Sequence, residues 1–272
     1  MPEGDTVYLL ARRLNARLRA QLVLKSDFRV PQHATADLGG ARLLGTDTHG
    51  KHLLTRFDSP RTGPLTLHTH LRMDGSWTVL NPGKHLPRRV LPDLRVLLRF
   101  ENGLSAAGLK LPVVELLKTA DEGRVTAHLG PDPLRPDWDR DAALARLSAD
   151  GDRALSAALL DQTRMAGLGN LWVNELCFLR GVSPWTPVRE VDLPAVVDLA
   201  VRLLRFSVNT PGAAQVTTGD TRPGHTHWVA GRAGQPCRRC GTRVQVVAEV
   251  SGDPERRRTW WCSHCQPGPP PP

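Results

Sequence analysis

The chain has 272 residues, of which 40% are hydrophobic and 23% are charged, as in ordinary globular proteins. No apolar run approaches the roughly 20 residues of a membrane-spanning helix, and no signal-peptide hydrophobic region follows the first methionine. The composition gives no support to a membrane protein. We expect a cytoplasmic protein that is large enough for two domains.

Positive charge is concentrated at the two ends of the chain. The formal net charge is +9. Lys and Arg exceed Asp and Glu by 19 to 12 in residues 1–125 and by 7 to 3 in residues 228–272, whereas residues 126–227 carry 10 against 12. Two basic segments around a slightly acidic one are typical of a protein that holds a polyanion. An arginine-rich surface without such a partner explains the charge alone equally well.

The N-terminus, Met1-Pro2-Glu3, is suited to covalent chemistry. Removal of Met1 would expose a secondary amine with a pKa of about 8, which can attack an electrophilic carbon and form an iminium. Glu3 directly follows this residue, where it could act as a general acid or base. A helix over 5–20, with Asp5 as its N-cap, would hold this end against a core. The alternative is the ordinary flexible terminus of many proteins.

Residues 22–107 alternate between short apolar segments and turns. Turn signals such as Asp74-Gly75 separate the segments. The predicted strands are 22–30, 41–48, 52–57, 65–71, 76–80, 94–100 and 104–107. Many short strands at this spacing predict a β-sandwich, and the helical remainder of the chain makes the fold class α+β.

Two turns in this segment carry side chains that could contact a nucleic acid. Lys51 follows Gly50 between two strands, where it could reach a phosphate; the alternative is a solvated hairpin lysine. Arg72 and Met73 follow a predicted strand. An exposed methionine at a loop tip can insert into a base stack, whereas a methionine at a strand end more often fills the core.

The second half of the chain is predicted to be helical. Residues 126–140 are assigned to a linker because 128–136 is too rich in proline and glycine for regular structure. This places one domain at 1–125 and the next at 141–227. Helices are predicted at 141–149, 154–162, 171–178 and 193–207.

A glycine-rich turn at 164–170 joins two of these helices, which makes a helix–turn–helix class of unit. Backbone N–H groups around Gly167, Gly169 and Asn170 would lie at a helix N-terminus, where phosphate binds well. A plain helical hairpin with a glycine bend is the alternative. Residues 210–227 have few apolar side chains, and we expect them to form a mobile recognition loop.

Four cysteines near the C-terminus are spaced as metal ligands. Cys237 and Cys240 form one CxxC pair, Cys262 and Cys265 form another, and 21 residues separate the two pairs. In a reducing compartment this spacing predicts one Zn²⁺ held by four thiolates, which is structural because no coordination position stays open. His264 is a weaker candidate ligand.

The residues between the cysteine pairs are predicted to form a hairpin of strands 244–250 and 259–261. This hairpin completes a zinc-finger domain at 228–266. The arginine run 256–258 lies near the hairpin tip, where a phosphate contact is expected. The proline-rich tail 267–272 is expected to be disordered.

Seven motifs, in their order along the chain, resemble the bacterial formamidopyrimidine-DNA glycosylase and endonuclease VIII family. They are Pro2-Glu3-Gly4, Gly50-Lys51, His70-Leu71-Arg72-Met73-Asp74-Gly75, His128-Leu129-Gly130-Pro131, Gly167-Leu168-Gly169-Asn170 with Glu175, Gly231-Arg232-Ala233-Gly234, and the four cysteines. Thr6 and Trp77 make the chain more similar to the endonuclease VIII branch.

The resemblance implies a bifunctional DNA glycosylase and abasic-site lyase of base-excision repair. Such an enzyme would bind damaged duplex DNA as a monomer, in the nucleoid region of the cytoplasm. In the family pattern Pro2 attacks C1′ and expels the base, Glu3 moves protons, and Lys51 contacts phosphate and assists elimination. The resulting iminium leads to strand cleavage by β- and then δ-elimination.

The resemblance also assigns residues that hold DNA. Asn170, with Gly169 in the same turn, would hold phosphates at the lesion. Arg72 and Met73 would partly fill the space that the flipped nucleotide leaves. Arg257, five residues before the third zinc ligand, would grip a phosphate and serve δ-elimination, although either neighbour in the run 256–258 could take its place.

Two departures from the formamidopyrimidine branch bear on the substrate. Residues 107–112 lack the arginine–phenylalanine pair of that branch, and the loop 210–227 is short. Both favour oxidised pyrimidines over 8-oxoguanine. Two further hypotheses stay open: a non-catalytic damaged-DNA-binding protein on the same scaffold, and an enzyme that acts mainly on bubbles or single strands.

Overall fold

The computed structural model describes residues 2–253 and 256–271. The chain divides into two compact units: the first holds Pro2 and Val7–His128, and the second holds Glu3–Thr6 and the chain from Leu129 onward. The division falls inside the predicted linker. No helix in the described ranges has both the length and the hydrophobicity needed to cross a membrane.

The first unit is a helix followed by a β-sandwich. Its elements are α1 (Gly4–Leu18), β1 (Val23–Phe28), β2 (Arg42–His49), β3 (His52–Ser59), β4 (Gly63–His70), β5 (Ser76–Leu80), β6 (Leu94–Phe100), β7 (Ser105–Leu109), β8 (Val113–Lys118) and the one-turn helix α2 (Gly123–Thr126). One antiparallel sheet has the order β2-β3-β4-β8 and the other β1-β6-β7-β5. The first turn of α1 is counted with the second unit.

The core of the sandwich forms where α1 meets the inner faces of both sheets. The apolar stripe predicted from helical spacing is buried: Val7, Leu10, Ala11, Leu14 and Leu18 are at most 6% exposed. This stripe belongs to the same cluster as buried residues of the strands, such as Phe57 and Phe100. The predicted helix and β-sandwich are therefore confirmed.

Two details, one in the sandwich and one in the first turn of α1, differ from the sequence prediction. Strand β8 was missed because only Val114 is fully buried in it, which leaves no clear alternation, and its pairing with β4 is set by distant residues. Asp5 is not the N-cap of α1. It lies inside the first turn of the helix, and its Oδ2 accepts a hydrogen bond from Ser207 Oγ at 2.6 Å.

The second unit is helical and ends in a short hairpin. Its elements are α3 (Arg140–Ser148), α4 (Leu155–Leu160), α5 (Asn170–Arg180), α6 (Leu193–Asn209), β9 (Gln245–Val247) and β10 (Thr259–Trp261). The core lies among α4, α5 and α6, around Leu159, Trp172 and Val197. Asp192 caps α6 by accepting from Ala195 N at 3.2 Å. These elements overlap the helices and the hairpin predicted from the sequence, which are therefore confirmed.

The tail after the hairpin makes a contact with the helical unit. Ser183 Oγ donates to the carbonyl of Pro269 at 2.7 Å. The disorder expected for 267–271 stays a prediction, and Pro272 lies outside the described residues.

Candidate active site

Glu3 is fully buried, and its carboxylate lies on the N-terminus of helix α5. Oε2 accepts from Gly169 N at 2.9 Å and from Trp172 N at 3.3 Å, and Oε1 accepts from Leu171 N at 2.8 Å. The helix has no side-chain cap of its own, because the preceding residue is glycine. Glu3 therefore supplies the missing acceptors, and its charge complements the helix dipole.

Two N–H groups of the glycine-rich turn are hydrogen-bonded within the protein. Gly169 N is engaged by Glu3, and Gly167 N donates to Gln162 Oε1 at 3.0 Å. A Cβ on Gly169 would lie only 2.4 Å from Glu3 Cδ. In this structure, glycine at 169 admits a carboxylate of the protein itself, and the assignment of Gly169 to DNA binding stays a prediction.

The residue after Glu3 is fixed as well. Gly4 N donates to Gly167 O at 2.9 Å, and a Cβ on Gly4 would lie 2.7 Å from Gly167 Cα. The two backbones approach too closely for any side chain at position 4. The segment that follows Pro2, itself half-buried, is thus held by the turn before α5.

Asn170 joins helix α5 to the C-terminal hairpin. Its Nδ2 donates to Arg258 O at 2.7 Å, and the next turn of the helix adds a second bond, from Trp260 N to Asn174 Oδ1 at 2.7 Å. These bonds fix the backbone of the arginine run, while the Arg257 side chain stays 43% exposed. Asn170 itself is 7% exposed and is bound to protein in this structure, so its phosphate contact stays a prediction.

Glu175 organises the loop that was expected to be mobile. It is fully buried, and it accepts from the backbone N–H groups of Trp228, Val229 and Ala230 at 2.8 Å each. Thr217 Oγ1 donates to the same carboxylate. Both ends of the segment 217–230 are therefore held against α5, whereas its mobility stays a prediction.

The four cysteines predicted as ligands lie together. Their Sγ atoms are all within 4.8 Å of one another, with 4.0 Å between Cys237 and Cys265 and 3.4 Å between Cys240 and Cys262. A tetrahedral thiolate site with Zn–S bonds of about 2.3 Å needs sulfur–sulfur distances of about 3.8 Å. The four residues fit a metal of that kind.

Lys51 occupies the predicted hairpin of the first unit. His49 pairs with His52 across a two-residue turn, in which Gly50 has a φ of +57°. Lys51 is half-buried. Its charge contributes to a lowered pKa of His70, which places the two side chains near one another.

The Arg72–Met73 turn is tight and exposed. Gly75 N donates to Leu71 O at 2.9 Å, and Arg72 has a φ of +46°. Met73 is 58% exposed, so the interpretation of Met73 as core filler is wrong. An exposed thioether at a turn tip is what insertion into a base stack requires.

A cluster of histidines beside Lys51 was not predicted. His52 Nδ1 lies 2.8 Å from His68 Nε2, and their rings stack with centroids 5.0 Å apart. His70 and His128 contact the same ring edge-on, at 5.0 Å and 6.0 Å. The signal in the sequence was positional: 68 and 70 share a strand face, and His52 pairs opposite His70.

Burial keeps two of these imidazoles uncharged. Desolvation, followed by the neighbouring histidines, lowers the pKa of His52 to about 3. Desolvation, followed by the charge of Lys51, lowers the pKa of His70 to about 4. Both are neutral near pH 7, and Lys51 therefore stands beside imidazoles rather than imidazolium ions.

Comparison with known proteins gives matches over most of the chain. Residues 1–108 match the formamidopyrimidine-DNA glycosylase N-terminal domain, and residues 129–217 match the formamidopyrimidine-DNA glycosylase H2TH domain. A probable endonuclease 8 2 of Streptomyces coelicolor is 48% identical over all of this chain and 96% of its own length. The DNA-(apurinic or apyrimidinic site) lyase Nei2 of Mycolicibacterium smegmatis is 41% identical over 98% of this chain and 99% of its own.

Solved structures share the fold. A complex of the LlFpg protein with a THF-DNA and an inhibitor has a TM-score of 0.79 at 22% identity and covers 98% of this chain and all of its own. A complex of the Lactococcus lactis Fpg with an abasic site containing DNA has a TM-score of 0.76 at 22% identity, with the same coverage. At this identity the likeness concerns the arrangement of helices and strands.

Proposed function

This chain belongs to the formamidopyrimidine-DNA glycosylase family, on its endonuclease VIII branch, and from that premise we propose that it excises oxidised pyrimidines from duplex DNA through Pro2. It is a DNA glycosylase with abasic-site lyase activity, and its polyanionic partner is DNA. The family assignment supports the reaction class, whereas the lesion and the residue roles rest on the arguments below.

The observation that carries the proposal is the anchoring of the residues directly after Pro2. A flexible terminus would not bury a glutamate under three N–H donors or bring Gly4 into backbone contact with Gly167. Holding a nucleophile in one place lowers the entropic cost of reaching the transition state. A binding protein without catalysis would have no use for this fixation of a prolyl amine.

The chemistry begins when Met1 is removed. The Pro2 nitrogen attacks C1′, the bond from C1′ to the base breaks, and the base leaves with a proton. The sugar ring opens as the C1′–O4′ bond breaks, which leaves an iminium between Pro2 and C1′, and Glu3 serves the proton transfers. Loss of a C2′ proton expels the 3′ phosphate, and a second elimination expels the 5′ phosphate.

The other assigned residues bind and stabilise the nucleic acid. Lys51 contacts phosphate and assists elimination, and Asn170 and Arg257 hold the phosphates around the lesion. Met73 inserts at the gap left by the flipped nucleotide, with Arg72 beside it. The exposure of Met73 and Arg257 supports these roles.

The four cysteines hold one structural zinc ion in this proposal. Four thiolates close the coordination sphere, so the ion would stabilise the hairpin and supply no catalytic chemistry. Gln266 supports the same folded end: its Oε1 accepts from Cys262 N at 2.9 Å, and its Nε2 donates to Val182 O at 3.1 Å.

The preference for pyrimidines rests on the segment 107–112. Ala107 and Leu111 are buried, and Lys110 Nζ is 3.7 Å from Asp93 Oδ2, so this segment carries no aromatic or arginine wedge for reading the opposite base. An enzyme that lacks this wedge reads the base opposite the lesion less stringently, and such an enzyme could also act on bubbles and single strands. Single-turnover rates on matched duplex, bubble and single-stranded substrates test that second candidate, and a strong duplex preference would reject it.

The decisive experiment is borohydride reduction with the untagged mature protein and a duplex that carries one abasic site. We expect a stable protein–DNA crosslink that Pro2→Gly abolishes and that Pro60→Gly, at an exposed turn, retains. A protein with verified Met1 removal that binds the DNA but gives no crosslink would overturn the proposed reaction. Equal excision of 8-oxoguanine and 5-hydroxyuracil would overturn the lesion preference alone.

A further inference from the structure

Three side chains in the first unit form a hydrogen-bonded chain that ends at His52, the residue directly after Lys51. Glu115 Oε2 lies 3.0 Å from His68 Nδ1, and His68 Nε2 lies 2.8 Å from His52 Nδ1. His68 is 3% exposed. The three residues stand on β8, β4 and β3, and His68 pairs directly opposite Glu115 in the sheet register.

The carboxylate at one end fixes the direction of every bond in this chain. An ionised glutamate only accepts hydrogen bonds, so His68 Nδ1 carries the proton of the first contact. While His68 is uncharged, its Nε2 has a lone pair, and His52 Nδ1 must donate the second bond. His52 Nε2 is then left with a lone pair and acts as an acceptor.

The chain connects the two turns that the sequence analysis singled out. His52 directly follows Lys51 on the hairpin, and it pairs with His70 across the sheet. His70 Nδ1 accepts from Arg72 N at 3.0 Å. The His52 ring contacts His70 edge-on, and His70 lies near the charge of Lys51. The tautomer of His52 therefore sets whether an acceptor or a donor stands at the residue after Lys51, against His70.

We propose that Glu115, His68 and His52 form a positioning chain for Lys51, in which His52 is held as a hydrogen-bond acceptor on the hairpin that carries the ammonium group. The inference rests on the role proposed above for Lys51. The three residues act through Lys51 and do not contact the reacting atoms. An acceptor suits a lysine ammonium, which carries only donors.

One added proton reverses the chain. With His68 protonated, Nε2 would donate to His52 Nδ1, and His52 Nε2 would become a donor that no longer suits Lys51. The charged and titratable groups around the chain are His49, Lys51, His70, Arg72, Glu115 and His128. The proposal therefore predicts a pH dependence that disappears when the chain is removed.

The test is the single-turnover rate of strand cleavage at an abasic site between pH 6 and 8.5. Glu115→Gln keeps the side-chain size but adds an N–H₂ donor, which permits the reversed chain. We expect a rate about tenfold lower, the cost of one hydrogen bond to a charged group, together with a flattened pH profile. Glu190→Gln, at an exposed site outside the first unit, is the matched control and should match the unchanged protein.

A double-variant cycle separates positioning from general destabilisation. Lys51→Ala should abolish most of the effect of Glu115→Gln, because the chain acts through Lys51. His52→Phe keeps an aromatic ring in the cluster and serves as the second variant if Glu115→Gln folds poorly. His85→Gln, at an exposed histidine outside the cluster, controls for the loss of an imidazole.

The outcomes distinguish this proposal from the proposed function. Absence of the Pro2 crosslink in the unchanged protein would overturn the proposed reaction itself. A normal crosslink with unchanged rates in Glu115→Gln and His52→Phe, or an equal loss in the Lys51→Ala background, would overturn only the positioning chain. A loss that needs Lys51 and alters the pH profile supports it.

Discussion

Glu3 and Glu175 occupy similar environments in the same helical unit, one against the start of α5 and the other within it. Each is fully buried, and each carboxylate accepts from three backbone N–H groups. The donors to Glu3 belong to the first turn of α5, whereas the donors to Glu175 are consecutive residues of a loop. Only Glu3 is covalently next to the prolyl amine.

Burial and hydrogen bonding alone therefore do not distinguish a carboxylate that is proposed to be catalytic, such as Glu3, from a structural one, such as Glu175. Both sites satisfy the general requirement that a buried carboxylate be fully paired. Their structural contributions should therefore be similar, and what distinguishes them is the identity of the neighbour. At Glu3 one set of contacts both fixes the chain end and holds, directly after Pro2, the carboxylate that we propose as the proton-transfer group.

The largest expected difference is between Glu3→Gln and Glu175→Gln. Each change places an N–H₂ group against backbone donors, and each should cost about 3 kcal/mol of unfolding free energy. Glu3→Gln should also slow base excision by about a hundredfold or more, because it removes the proton-transfer group. Thermal unfolding and single-turnover excision check the pair. If both variants lost activity equally at a temperature at which both are folded, Glu3 would have no catalytic role beyond that of Glu175.

Gly169→Ala tests whether activity depends on the close approach of the Glu3 carboxylate to the backbone of residue 169. The new Cβ would overlap Glu3 Cδ, so the carboxylate must leave the helix terminus. We expect a tenfold to hundredfold loss of excision rate, on the order of that from a misplaced catalytic group. Gly123→Ala, where no atom lies within 4 Å of the new Cβ, is the control. Wild-type rates in Gly169→Ala would show that Glu3 does not need this position.

Metal removal should loosen the backbone around Glu175 and leave the backbone around Glu3 unchanged. Trp228, which donates to Glu175, packs in one cluster with Cys237 and Cys262. A chelator should therefore release zinc, loosen the 217–230 loop and weaken DNA binding, because folding of such sites is coupled to their metal. Metal analysis and hydrogen exchange at 228–230 and at 169–172 would locate the effect. Equal loss of protection at both places would contradict the contrast.

The smallest expected effect is an acid destabilisation that involves neither glutamate. The pKa values of His52 and His70 lie at about 3 and 4, below the ordinary 6.5. The unfolded chain therefore binds more protons, and the stability that is full above about pH 6.5 is lost as the pH falls toward 4. Thermal unfolding between pH 7.5 and 6 should show a loss of about 1.5 kcal/mol for the pair. His52→Gln/His70→Gln should flatten this dependence.

The sequence predicted the parts of the fold that local patterns determine. The stripe of α1, seven strands, the helices and the cysteine hairpin all follow from spacing and turn residues. Strand β8 did not, because its position depends on pairing with β4. The anion-binding potential at the start of α5 was also predicted, but its occupant is a residue more than 160 positions away, which no local pattern identifies.

The histidine cluster shows the same limit for the candidate site. Each histidine has an ordinary local context, and only the register of β3, β4 and β8 brings His52, His68 and Glu115 into line. In contrast, the cluster of four cysteines was predictable because paired spacing within a hairpin is a local property.

The anchoring of Glu3 has a consequence for the order in which the active protein is made. Its three donors lie 166 to 169 positions further along the chain, and Asp5 is bonded to Ser207. Because synthesis runs from the N-terminus, the sandwich strands emerge from the ribosome well before the helix that holds the chain end in place. A nascent or truncated chain that lacks α5 has no donors for Glu3, so the residues after Pro2 are not held in place. If Pro2 acts as proposed, we expect the chain to acquire its lyase activity only after most of the polypeptide has been translated.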